Sequence, residues 1–284
     1  MLSASFLQTF IQAWVEAPTL MAIRATELVF AWSLAIQTLE YLRMGPYTAD
    51  DAFWSWRLQR ADIPNAPVRA LLDVLFKPHM HQLHLVLRLC AAVALAVQGA
   101  SLPLIGFLFV GNLLILIRWR GAFNGGSDFL TLVVLTGLLI SQVVGAFGNV
   151  QLGWQAGFWY IAIQAITSYF MSGAVKLLRR EWRNGSAMTI FLNGAIYGPL
   201  SAAHPLRNKW LALVGSWGFI VWEILFPLSL LDPRLAAVFC AVAALFHFLV
   251  FWFFGLNRFF WAWMCSFPAI IWCSAQFSAR VLSL

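Results

Sequence analysis

The stretch FLTLVVLTGLLISQVVGAFG, residues 129–148, contains no charged side chain, and its polar members are only Thr131, Thr136, Ser141 and Gln142. A helix of that length crosses the ~30 Å hydrocarbon core of a bilayer, for which about 20 apolar residues are needed. Segments of the same kind recur on both sides of it, at 20–43, 81–99, 102–119, 154–178, 209–231, 234–254 and 259–280. Over its 284 residues the chain is 62% hydrophobic and 10% charged, with a mean hydropathy of +0.80, outside the range of ordinary globular domains. The reading is an all-α, polytopic integral membrane helical bundle of about eight transmembrane helices. A transmembrane barrel would show ~10-residue alternating segments, and the sequence has none. Residues 1–284 are expected to form one transmembrane domain without a separate soluble domain.

Charge is sorted along the same pattern. Of the 18 Lys and Arg residues, all fall in the gaps after the first, third, fifth and seventh segments except five. Arg234 and Arg280 lie on the opposite face, and Arg24, Arg88 and Lys176 lie inside segments. The positive-inside rule then places the basic face in the cytoplasm and both termini outside. The net charge of +7 follows from those loops, and the partner it implies is the lipid bilayer, with no nucleic acid. Phe6, Phe10 and Trp14, four residues apart, give residues 1–18 one apolar face suited to an interfacial amphipathic helix. Gln8, Gln12 and Glu16 interrupt that run and argue against a signal peptide. The longest polar connection, 44–80, carries a Pro-rich break at Ile63-Pro64-Asn65-Ala66-Pro67 and then a short amphipathic segment, Val68 to Phe76. Residues 182–208 are too polar and too broken by Gly and Pro to span, and a re-entrant or interfacial piece is expected around Met188 to Leu200.

Ionisable residues within the segments are the functional candidates, because a charge at mid-membrane costs roughly 2.5–3.5 kcal/mol on insertion scales. They are Arg24, Glu27, Glu40, Arg88, Asp128, Lys176, Glu223 and His247. Glu40 and Arg88 lie near enough to a segment end to snorkel. Lys176 follows the small run Ser172-Gly173-Ala174, which lets a second backbone or a ligand approach closely. A desolvated lysine can serve as a base at neutral pH; an ordinary lysine heading the basic run Arg179-Arg180 accounts for it as well. Glu223 sits deep in its segment, and Pro227 one turn later frees its carbonyl from the helical ladder. His247 is similarly deep, and a structural hydrogen bond explains either residue as readily as chemistry does. His79, His81 and His84 lack a completing carboxylate or Cys, so no metal is expected. Cys90, Cys240, Cys265 and Cys273 read as small buried hydrophobes.

Several of these places, in this order, resemble the HTTM family, the transmembrane portion shared by vitamin K-dependent γ-carboxylase and shorter bacterial proteins. They are Asn124-Gly125-Gly126-Ser127-Asp128, then Tyr169-Phe170-Met171-Ser172-Gly173-Ala174-Val175-Lys176, then Glu181-Trp182-Arg183-Asn184-Gly185, then Glu223 followed by Pro227. Phe246-His247, Gly255-Leu256-Asn257-Arg258-Phe259 and Pro268 complete the set. The resemblance spans about residues 120 to 272. It implies a reduced, vitamin K-like quinone with dioxygen as cofactors and Lys176 as the base, with Glu223 and His247 tuning its charge or hydrogen-bonding the ring. Asn124, Asp128, Trp182, Asn257 and Arg24 are the candidates for substrate or quinone contact. It also implies a bacterial inner-membrane location. Where the carboxylase carries a histidine beside its asparagine, this chain has Gly125-Gly126, which points away from γ-carboxylation itself and toward another quinol- or oxygen-dependent modification of a peptide or small molecule. The alternative is a non-catalytic membrane partner, binding a small subunit in the maturation or export of a bacterial peptide toxin.

Overall fold

Asparagine, aspartate and proline punctuate the chain where helices begin. The computed structural model describes residues 18–281 apart from 50, 53, 121–123, 197–198, 200 and 202–203. The interfacial helix expected at 1–18 therefore lies outside the described residues, Pro18 aside, as does part of the piece expected between Met188 and Leu200. The helices are α1 (Pro18–Arg43), α2 (Trp56–Gln59), α3 (Ala66–Leu75), α4 (Pro78–Gln98), α5 (Leu102–Arg118), α6 (Ser127–Phe147) and α7 (Val150–Leu178). They continue with α8 (Arg180–Arg183), α9 (Ser186–Asn193), α10 (Lys209–Leu225), α11 (Pro233–Phe254), α12 (Asn257–Met264) and α13 (Phe267–Val281). Asn65, Asn149, Asn208 and Asp232 each accept a backbone N–H of the first turn they precede, at α3, α7, α10 and α11. At the far end of α11, Gly255 takes the left-handed conformation (φ 67°) that closes a helix without a Cβ clash.

Among the described residues six helices are long and apolar enough to cross a membrane: α1, α4, α6, α7, α11, and α10 with its 3-10 continuation to Leu230. By length and composition these helices are compatible with an integral membrane protein. The other two apolar segments differ. Helix α5 is shorter, at 17 residues. The run at 259–280 is divided into α12 and α13, because Pro268 brings no N–H and its ring would collide with the carbonyl of Met264 in a continuous helix.

Polarity is distributed inside out. Large apolar side chains such as Leu83, Val97, Val238, Leu245 and Trp252 are exposed along α4 and α11, whereas Glu27, Gln37, Arg88, Asn112, Asp128, Glu223 and His247 are buried. In a hydrocarbon solvent this is the economical arrangement, since polar groups must find partners inside the bundle. Cys90, expected inside, is exposed on α4; the other three cysteines are buried, and all four are free thiols.

Helices α6 and α7 form an antiparallel hairpin that only small residues permit. A Cβ on Gly157 would lie 1.9 Å from Ser141 Oγ and 2.4 Å from Gly137 O, and one on Gly153 would lie 2.3 Å from Ser141 O. The core along this seam contains Phe158, Ile161, Ala165 and Trp272. Loops from the basic gaps converge on one end of the bundle. There Arg258 pairs with Glu40, Tyr41 stacks on Trp119, and Ile196 N–H donates to Phe253 O.

Candidate functional site

Gly173 brings α7 and α10 together at the site. A Cβ there would lie 2.8 Å from Glu223 Cβ and from Ile224 N, so only glycine admits this approach. One turn on, Lys176 Nζ donates to both carboxylate oxygens of Glu223 at 2.7 Å and to Ser172 Oγ at 2.5 Å. Ser172 Oγ in turn donates to Glu223 Oε1 at 3.1 Å. The Lys176 side chain is 15% exposed and that of Glu223 3%. The lysine does not snorkel away to join Arg179 and Arg180. Its ammonium instead lies 5.1 Å from the centre of the Trp182 ring, a cation–π contact.

The carbonyl of Glu223 is not the free polar group that Pro227 led the sequence reading to expect. Helix α10 tightens to a 3-10 turn at Phe226, and Phe226 N–H takes up that carbonyl. Proline removed one helical bond and the shorter i→i+3 bond replaced it.

Beside the ion pair opens a cavity of about 690 Å³ between α7, α10, α11 and α12, with Lys176, Glu223, Trp182 and His247 on its walls. The rest of its lining is mostly apolar, with Phe129, Phe191, Phe219, Phe246 and Phe259 beside aliphatic residues such as Met188, Leu192 and Val250. On another wall Tyr169 Oη and His247 Nε2 share a hydrogen bond of 2.7 Å. His247 stacks on Trp263 at 4.8 Å and 17°, and Tyr169 stacks on Phe226 at 4.0 Å and 10°. His247 Nδ1 and Trp263 Nε1 are buried and have no partner among the described residues. Among the described residues the buried Tyr169 hydroxyl has no other acceptor, so donation to Nε2, with the proton on Nδ1, is the arrangement that leaves the fewest polar groups unpaired. A second hollow of about 610 Å³ between α10 and α11, walled by Val214, Val221, Val238 and Val242, carries no ionisable group.

The remaining candidates have other neighbours. Asn124 Oδ1 accepts the N–H groups of Gly126 and Ser127, and Asp128 Oδ2 accepts the N–H of Asn124, so both build the turn that opens α6. Gly126 in that turn lies under the Phe259 ring, where a Cβ would sit 1.9 Å from Cε2. Asn257 donates to Glu40, and Arg258 reaches Glu40, Tyr41 and Asp128. This polar cluster adjoins the cavity without lining it. Arg88, expected to snorkel, is fully buried in the same cluster, where it donates to Thr38, Gln37 and Asn112. The polar faces of α1 and α5 supply acceptors that hydropathy does not register. Arg24 lies at the opposite end of the bundle, donating to Glu27 and to Ala96 O. Glu27 accepts Ala100 N–H and so latches the α4–α5 turn. Arg24 and the cavity are not brought together.

Sequence reasoning passed over Ser172, Tyr169 and Trp263 as site members. The first two had a legible signal, since they precede Lys176 by four and seven residues and share its helix face. No protein-family model, curated protein or solved structure matches this chain.

Proposed function

We propose that this is an eight-pass membrane protein that binds a reduced, ring-bearing quinone in the aromatic cavity and uses the Lys176–Glu223 pair to accept its proton. The reaction served is a quinol- and dioxygen-dependent modification of a peptide or small molecule. The observation that carries the reading is a buried, triply hydrogen-bonded Lys–Glu pair opening onto an aromatic cavity. In this reading the basic end faces the cytoplasm of a bacterial inner membrane and both termini lie outside.

The residues present fit such a group. The volume lies within the ~300–1,000 Å³ usual for small-molecule sites, and flat aromatic walls suit a flat ring. A bound quinol supplies electrons and removable protons. Glu223, ionised, is the acceptor beside it, and Lys176 is the cation that holds negative charge on a ligand oxygen. Passage of one proton from Nζ to Glu223 across 2.7 Å makes the amine the base, so the pair offers one basic site whichever partner carries it. The apolar walls lower the local dielectric and strengthen the interaction between these charges.

The test is extraction and mass-spectrometric quantification of quinones retained by the purified protein, beside a Gly215→Phe variant. Gly215 lines the cavity, and a Cβ there meets only the flexible end of Met188, at 3.5 Å. The parent is expected to retain a stoichiometric quinone, and the variant to lose it with little change in melting temperature. Equal retention by both removes the reading. A quinone-free parent that co-purifies with a small subunit at one to one replaces it with the maturation-partner role.

A further inference from the structure

The turn between α7 and α10 carries Arg179, Arg180, Arg183, Arg207 and Lys209, against one carboxylate, Glu181. All five cations are exposed, and none forms a salt bridge among the described residues. The turn is clamped onto α10. Ser216 Oγ donates to Trp182 O and Trp217 Nε1 donates to Arg183 O at 3.1 Å, while within the connection itself Arg207 donates to Asn193 Oδ1 at 3.2 Å. Gly185, at φ 78°, packs so closely on α10 that a Cβ would lie 2.8 Å from Leu213 N. The arginines are therefore held at the mouth of the helix bundle, where two spanning helices end and begin.

Apolar side chains interleave with them. Leu178 is 79% exposed and Trp210 74%, and Ile190 and Phe191 are exposed beside them. A soluble anion gains nothing from that greasy border. A lipid satisfies both parts, its phosphate on the guanidinium groups and its acyl chains along Leu178 and Leu211. Arginine suits this role because its planar donors grip phosphate oxygens in pairs. Trp182, Phe191 and Leu211 also line the cavity, so a lipid held here borders its edge.

We propose that Arg179, Arg180 and Arg183, with Arg207 and Lys209 beside them, form a binding site for the headgroup of an anionic phospholipid at the cavity edge. The proposal does not rest on the quinol reading, because headgroup retention and quinone retention are separate measurements.

The experiment is native mass spectrometry of the full-length protein titrated with phosphatidylglycerol or phosphatidylcholine in detergent. Phosphatidylglycerol adducts are expected to form in preference to phosphatidylcholine adducts. The triple variant Arg179→Gln/Arg180→Gln/Arg183→Gln is expected to lose phosphatidylglycerol affinity on the order of 100-fold at low salt, at about tenfold or less per cation. The triple Arg→Lys variant at the same positions keeps the charge but loses the paired donors, and its affinity is expected to fall between those of the parent and the Arg→Gln triple. Removing equal charge from exposed positions elsewhere on the basic end, with Arg43→Gln/Arg57→Gln/Lys77→Gln, changes it less than threefold. The proposal is overturned by any of four results: equal affinity for the two lipids, an unaffected Arg→Gln triple, an equal loss in the control triple, or displacement of the lipid by millimolar inorganic phosphate. The last would make this a soluble-anion site.

Discussion

The Lys176–Glu223 pair can be taken apart by a double-mutant cycle, with Lys176→Met, Glu223→Gln and the double variant. Lys176→Met keeps most of the stem's volume and removes the ammonium, leaving a 3% exposed carboxylate with one remaining donor, Ser172. Breaking a buried pair from one side costs about 3–5 kcal/mol. The surviving serine bond puts this case near the lower end, at about 3 kcal/mol. Glu223→Gln leaves an ammonium that retains Ser172 and some access to solvent, so about 2 kcal/mol is expected. In the double variant neither charge is stranded, and its cost should fall well short of the two singles together, giving a coupling energy of about 2–3 kcal/mol. The assay is reversible unfolding in mixed micelles, with the fraction folded followed by tryptophan emission. Neutral interhelical hydrogen bonds in membranes average only ~0.6 kcal/mol. A measured coupling at or below that value would show that the two charges do not depend on each other, and the cavity would lose its organised polar end.

Tyr169→Phe removes the donor to His247 Nε2 inside an aromatic shell and should destabilise the protein by about 1–2 kcal/mol, read by the same unfolding assay. Gly157→Ala must push apart α6 and α7, because its Cβ meets Ser141 Oγ at 1.9 Å and the Gly137 carbonyl oxygen at 2.4 Å. A loss of about 1–3 kcal/mol is expected, whereas Gly218→Ala, with nothing within 4 Å, should be neutral or slightly stabilising. The loop between α1 and α4 is pinned by Asp73, which accepts from Arg60 and from Trp56 Nε1. The Arg60 guanidinium, then the Trp56 indole, hold the Asp73 carboxyl down from its ordinary 3.8 to about 2. Because its folded value is depressed, this anchoring is complete above about pH 4 and is lost as pH falls through about 2. Pepsin cleavage between residues 54 and 76 should accelerate across that window in the parent, and Asp73→Asn should show no such step there.

Hydropathy and the cost of burying a charge are properties of single residues and single segments. The sequence by itself therefore determined that the described residues are helical, with segments long and apolar enough to cross a membrane, and it marked Lys176, Glu223 and His247 as side chains needing a reason to be where they are. It also located the break at Ile63-Pro64-Asn65-Ala66-Pro67, where Asn65 caps the next helix through a local bond. Which of those side chains meet was decided by tertiary structure. Lys176 and Glu223 are 47 residues apart and Tyr169 and His247 are 78 apart, and each pairing depends on the rotation and spacing of packed helices. Gly173 sets that spacing for the first pair, through a contact visible only once α10 is in place. The same reason places Arg24 in a latch at the far end and draws Arg88 inward to Thr38, Gln37 and Asn112. A charge's cost is written in the chain, but its partner is fixed by where the helices pack.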